Sequence, residues 1–154
     1  MNTDPHTKEI EKRMGQIKKD LKRRGLKLTQ QRLEIFNEVA GSGDHPCAET
    51  IYRVVRKRLP TVSLDTVYRT LWLFLDLGLI ATLGPARERV RFDANITPHH
   101  HFVCRQCGTA YDFCSPELDR LEVPGEIEVF GQGEKINVEV QGLCRKCLEN
   151  GTES

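Results

Sequence analysis

Between His99 and Cys107 the chain places three imidazoles and two thiols within nine residues, as His99-His100-His101-Phe102-Val103-Cys104-Arg105-Gln106-Cys107. A second thiol pair, Cys144-Arg145-Lys146-Cys147, follows near the C-terminus. Each C-x-x-C makes a knuckle that can turn two thiolates toward one ion. Four thiolates in a tetrahedral shell suit structural zinc, with Zn–S about 2.3 Å. Gly108 gives the first knuckle room to turn, and paired strands can bring the two knuckles together. The competing readings are a redox dithiol and an iron–sulfur cluster. A redox C-x-x-C normally opens a helix, whereas the first pair here follows a strand pattern. Cys47 and Cys114 stand alone and read as small core residues.

A chain of 154 residues has room for one ordinary domain or two small ones. With 38% apolar and 29% charged residues its core is modest, and small domains often rely on a metal or a partner. No apolar run approaches the roughly 20 residues of a membrane span, and Met1-Asn2-Thr3-Asp4-Pro5 is not the start of a signal peptide. The expectation is a soluble, cytoplasmic protein, where cysteines favour metal over disulfide. The net charge of +1 hides an asymmetry. Through Arg91 there are 18 Lys/Arg against 11 Asp/Glu, a balance of +7; from Phe92 onward there are 5 against 11, a balance of −6. A basic front and an acidic back suggest two domains with different partners.

Residues 1–9 are polar and are expected to fray. Ile10, Met14, Ile17 and Leu21 then recur at helical spacing until Gly25. Thr29 is an N-cap for a second helix carrying Leu33, Ile35, Phe36 and Val39, which ends near Gly41-Ser42-Gly43. His45-Pro46-Cys47 leads into a third helix with Ile51, Val54, Val55 and Leu59 on its apolar side, closed by Pro60. Ser63 caps a fourth, Leu64 to Leu77, with Asp65 in its first turn to suit the helix dipole. Leu79 to Leu83 reads as a strand, Gly84-Pro85 as a turn, and Arg87 to Phe92 as a returning strand. Helices followed by a β-hairpin form a winged helix-turn-helix pattern, with the helix after Ser63 as recognition helix. Ser63, Thr66, Tyr68 and Arg69 are its candidate DNA contacts, and Arg87 and Arg89 of the wing lie near phosphates.

The fold class expected is α+β: a winged helix-turn-helix domain over 1–92, a hinge at 93–98, and a small α/β domain over 99–154. In the second part Phe102-Val103, Ala110 to Phe113, Ile127 to Phe130 and Ile136 to Val140 read as strands, and Pro116 to Leu121 as a short helix. The remaining ligand-type side chains are His45, Asp93, His99, His100, His101 and Asp112. In an extended stretch His99 and His101 share one side while His100 faces the other. Mixed imidazole and carboxylate donors suit Fe²⁺, Mn²⁺ or Zn²⁺.

These residues, together with Leu28-Thr29-Gln30-Gln31-Arg32, the run Ser63 to Leu71 and Arg91-Phe92-Asp93, resemble the ferric uptake regulator family of metal-dependent bacterial repressors. The resemblance covers nearly the whole chain. It implies a homodimer, with 99–154 as its small α/β dimerisation domain, that binds a double-stranded, A/T-rich palindromic operator, with structural zinc on Cys104, Cys107, Cys144 and Cys147. It also implies a regulatory ion, Fe²⁺ or Mn²⁺, on positions matching His45, Asp93, His99, His101 and Asp112. Because His45 belongs to the front half and the other ligands to the hinge and back half, an ion held by all of them would shift a hinge equilibrium.

Aspartate at both carboxylate positions, Asp93 and Asp112, is most like the peroxide-sensing branch, since the iron-sensing branch usually has glutamate there. In that branch Fe²⁺ reacts with H₂O₂ and nearby histidines are oxidised; His45 and His99 match those targets. Many iron- and zinc-sensing members carry a further site built on a histidine near the C-terminal strands. This chain has no histidine after His101. The alternatives are an iron- or zinc-responsive repressor without peroxide sensing, a His/carboxylate metalloenzyme, and a zinc-stabilised protein-interaction module. No nucleophile elbow, phosphate loop or paired acid/base motif supports an enzyme.

Overall fold

The computed structural model describes residues 5–83 and 90–151. The chain divides into two compact units, one ending at Ile96 and the other beginning at Thr97.

The first unit holds four helices, α1 (Pro5–Arg23), α2 (Gln30–Gly41), α3 (Ala48–Arg58) and α4 (Leu64–Asp76). Two short strands, β1 (Ala81–Leu83) and β2 (Arg91–Asp93), pair antiparallel, with Thr82 opposite Phe92. Helix α1 is already formed from Pro5, so the polar opening is not frayed over 5–9. Its anchors lie further along, where Ile17 and Leu21 are fully buried.

Two caps set the helix starts. Thr29 Oγ1 accepts the Arg32 amide at 3.2 Å, and Ser63 Oγ accepts the Thr66 amide at 3.1 Å. Each satisfies one of the amides a helix start leaves unpaired. Replacing Ser63 with Ala should lower unfolding free energy by about 1 kcal/mol, read as a reduced urea midpoint with an unchanged slope.

The helical periodicities converge on one core. Ile35, Phe36 and Val39 of α2, Ile51 and Val55 of α3, and Val67, Leu71 and Phe74 of α4 are all buried together with Phe92. The Phe36 and Phe74 rings meet edge to face at 5.8 Å, a favoured aromatic geometry. Arg13 lies over Phe36 at 5.2 Å and donates from Nη2 to the Leu79 carbonyl at 2.9 Å, tying α1 to the segment after α4. Burial lowers the Arg13 pKa against the opposing pull of Glu9 and Asp93, and the group stays cationic.

The second unit is a three-stranded sheet ordered β4-β3-β5, with β3 at His100–Cys104, β4 at Ala110–Phe113 and β5 at Glu139–Gly142. Strand β3 runs antiparallel to β4 and parallel to β5. Helix α5 (Arg145–Asn150) follows β5 directly. Gly142 sits where any Cβ would lie 3.1 Å from the Phe102 ring, so glycine lets that ring cover the strand end.

One expectation for this unit fails and two are met only in part. Ile127 to Phe130 is no strand; Gly125–Val129 forms 3-10 turns, because Pro124-Gly125 starts a turn and Phe130 and Gly131 amides both return to the Ile127 carbonyl. Of Pro116 to Leu121, expected as a short helix, only Leu118–Arg120 is helical, as a single 3-10 turn. Residues 136–138 precede the last strand, which is shifted to Glu139–Gly142. The run before β5 still touches the sheet at one point, where the His101 amide donates to the Val138 carbonyl at 3.2 Å.

Candidate metal centres and nucleic-acid interface

In the second unit all four knuckle sulfurs lie within 4.8 Å of one another. Cys107 Sγ and Cys144 Sγ are 3.7 Å apart, close to the ~3.8 Å edge of a tetrahedron with Zn–S of about 2.3 Å. Cys104 ends β3, and its carbonyl accepts the Gly108 amide at 2.8 Å, closing the first knuckle on a glycine with φ 73. A side chain there would be strained.

Cys104 Sγ also accepts the Cys144 amide at 3.3 Å, linking the two knuckles through the backbone. Hydrogen bonds from the Cys107 and then the Cys144 amide pull the Cys104 thiol down to about 6. Cys147, hydrogen-bonded to Cys144 and desolvated, is pushed up to about 12. The cluster therefore sets a thiol whose hydrogen bonds favour the thiolate beside one whose surroundings favour the protonated form.

The second pair departs from the helix argument made for the first. Cys144 is the N-cap of α5 and Cys147 lies in its first turn. What separates the set from a redox dithiol is the convergence of four sulfurs rather than the surroundings of either pair. Neither single cysteine is a core residue: Cys114 is exposed, and Cys47 is the half-buried N-cap of α3.

The same unit gathers a second donor set. His101 on β3 stands directly opposite Asp112 on β4. His101 Nε2 lies 3.3 Å and His99 Nε2 3.8 Å from Asp112 Oδ1. The two Nε2 atoms are 2.9 Å apart, near the ~3.0 Å expected of two nitrogens bound about 2.1 Å from one ion at right angles. His99 Nδ1 donates to the Thr97 carbonyl at 2.7 Å, which fixes the tautomer and leaves Nε2 carrying the lone pair.

His100 points to the opposite face, as strand alternation requires. It is buried, its Nε2 is 2.8 Å from Asp119 Oδ1, and its ring is 5.6 Å from Phe113. Its Nδ1 has no hydrogen-bond partner among the described residues. The pair ties the 3-10 turn to the sheet, a role the sequence alone did not show.

In the first unit His45 Nε2 approaches Asp93 Oδ2 at 3.5 Å, both side chains buried. Asp93 is oriented by the Asn95 amide, which donates to Oδ1 at 2.8 Å. His45 has φ 50, a left-handed conformation that is uncommon for a residue with a side chain. Arg91 holds it there: Nε donates to the His45 carbonyl at 2.9 Å and Nη2 to the Asp44 carbonyl at 2.6 Å. The Phe92 amide donates to the Pro46 carbonyl at 3.0 Å. Arg91 entered the sequence reading only as part of a motif; its service to His45 became visible with the fold.

On α4 the solvent-facing line runs Asp65, Arg69, Trp72 and Asp76. Arg69 pairs with Asp65 at 2.9 Å, and both are well exposed, so the pair is worth little and easily exchanged. Ser63 and Thr66 hydroxyls lie 2.9 Å apart at the helix start. Tyr68 is half-buried and donates its hydroxyl to Glu49 of α3 at 3.1 Å, which commits part of its ring to packing. Trp72 is 51% exposed; its place on the outer face follows from helical phase. Arg87 and Arg89 fall outside the described residues.

A family model described as the ferric uptake regulator family matches residues 23–128. The peroxide-responsive repressor of Staphylococcus epidermidis is 32% identical over 131 residues, covering 85% of this chain and 87% of its own. The repressor of the same description from Staphylococcus aureus is 30% identical over 140 residues, covering 91% and 95%. The solved structure of the ferric uptake regulator of Helicobacter pylori superposes with a TM-score of 0.76 at 25% identity, covering 94% of this chain and 96% of that one.

Proposed function

Given that the chain belongs to the ferric uptake regulator family, we propose that it is a repressor that binds an A/T-rich palindromic operator when metal-loaded and releases it on meeting peroxide. The coarser statement is established by family: the chain is a dimeric, DNA-binding metalloregulator of α+β fold and not an enzyme, with structural zinc and regulatory iron or manganese as its metals. No helix among the described residues is long and apolar enough to cross a membrane. The repressor acts in the cytoplasm, where its operator lies.

Cys104, Cys107, Cys144 and Cys147 hold the zinc in this reading. His45 and Asp93 from one unit, with His99, His101 and Asp112 from the other, hold the regulatory ion. The observation that carries the peroxide reading is the composition of those two half-sets, imidazoles beside aspartates rather than glutamates. The names of the two staphylococcal relatives agree with it. Fe²⁺ held by these residues would supply the reducing electron that peroxide O–O cleavage requires. The chain supplies the targets: His45, held in place by Arg91, and His99, held by Thr97. An imidazole that has gained oxygen is a weak donor, so the two units lose their common ligand and the DNA-binding arrangement with it. Candidate operator contacts are Ser63, Thr66, Tyr68, Arg69, Arg87 and Arg89.

Intact-mass spectrometry of the Fe²⁺-loaded chain before and after brief peroxide exposure tests this. A single added oxygen mapped to His45 or His99, with loss of the operator gel shift, is the expected result. Oxidation confined to cysteines, or equal operator affinity with chelator, Mn²⁺ and peroxide-treated Fe²⁺ protein, overturns it. In that event an iron- or zinc-responsive repressor is the second reading.

A further inference from the structure

Between the start of α2 and the outer turns of α4 lies an open cavity of about 270 Å³. The cap residue Thr29 with Gln31 and Arg32 of α2 line one side, and Thr66, Arg69, Thr70 and Leu73 of α4 the other. Two guanidiniums, three hydroxyls and an amide make it a donor-rich, cationic recess, and no carboxylate lines it among the described residues. Arg32 is half-buried and braced, its Nη1 donating to the Lys27 carbonyl at 2.5 Å. Bracing of this kind holds a guanidinium in one place at little further entropic cost. Arg69, on the far wall, pairs with exposed Asp65 among the described residues. The recess is too small for a stacked base pair and roomy enough for a phosphodiester group with bridging waters.

We infer that this cleft seats a phosphate of the DNA backbone, with Arg32 as the clamp that sets how α4 lies on the duplex. The inference rests on the DNA-binding reading above and adds to it a contact outside the recognition helix. Phosphate contacts fix register and orientation without reading sequence. Arg32 is thus a positioning residue, distinct from the candidate contacts on α4.

The test uses the full-length, zinc- and Mn²⁺-loaded protein and fluorescence anisotropy on operator and unrelated duplexes across a salt series. Arg32→Gln should weaken both duplexes about tenfold and make the slope of log affinity against log salt shallower by about two, one for each subunit of the dimer. Arg32→Lys, which keeps the charge, should restore the slope. Replacing one backbone phosphate per half-site with a methylphosphonate should weaken the wild type and leave Arg32→Gln unaffected. An unchanged salt slope in Arg32→Gln overturns the inference, whether or not affinity falls, because a merely structural role lowers affinity without changing the count of released counterions. Inorganic phosphate that raises the melting temperature only when Arg32 is present, with the DNA salt slope unchanged, would assign the cleft to a small free anion and overturn it too. A wild type without metal-dependent DNA affinity removes the underlying reading as well; a wild type that binds, with an indifferent Arg32→Gln, removes this inference alone.

Discussion

Zinc removal by a strong chelator should unfold the unit that begins at Thr97 while leaving the helical unit folded. The reason lies in what each unit buries. The helical unit has a broad apolar core drawn from all four helices and β2. The buried cluster of the other unit consists of Cys104, Cys144 and Cys147, with Phe102 and Leu143 packed against them. Such a core is largely its own ligand set. Structural zinc contributes an apparent ~10–16 kcal/mol in small domains, comparable with or greater than the ~5–15 kcal/mol total stability of an ordinary one. Cys104→Ser should have the same effect as the chelator. Amide hydrogen exchange makes the check: protection should vanish in β3, β4 and β5 and persist in α2, α3 and α4. Retained protection of β3 in zinc-free protein would show that the thiols merely decorate a self-sufficient fold.

The next largest effect is expected at the regulatory set. His101→Ala removes a donor that stands across the sheet from Asp112 and within 2.9 Å of His99 Nε2. Loss of even an outer partner of a metal ligand typically costs 10- to 100-fold in affinity, so loss of the ligand itself should cost about 100-fold or more. Operator affinity titrated with Mn²⁺ should shift to correspondingly higher metal, with zinc content unchanged at one per chain by elemental analysis. An identical Mn²⁺ titration in the variant would mean that His101 serves the sheet rather than the ion.

The local signals that proved readable share one property: their cause lies within a few residues. Thr29 and Ser63 cap their helices through a hydroxyl three residues upstream of the amide it accepts. The alternation that sets His100 apart from His99 and His101 is likewise a property of the extended chain. Thiol and imidazole clusters were legible because few other roles call for such side chains at that density.

What could not be read depends on distant partners. Glu128 and Val129 alternate as a strand would, yet they pair with no strand among the described residues, and Pro124-Gly125 leads the chain into 3-10 turns instead. The bracing of His45 by Arg91 spans 46 residues, and the approach of Arg32 and Arg69 to one cleft depends on how α2 crosses α4. The His100–Asp119 pair likewise needed the sheet before it had meaning.

The parallel pairing of β3 with β5 bears on the order in which the molecule assembles. Strands β3 and β4 are neighbours in sequence and can zip as a hairpin, presenting Cys104 and Cys107 early. Strand β5 must return across a long segment that buries almost nothing, since residues 119–135 are exposed throughout. Closing a loop of that length costs roughly 3 kcal/mol in chain entropy, with little apolar gain to offset it. The return of Cys144 and Cys147 to the waiting thiols is then the slow, late step. Loading the ion and completing the sheet become one kinetic event, so newly made chains mature at a rate set by zinc supply.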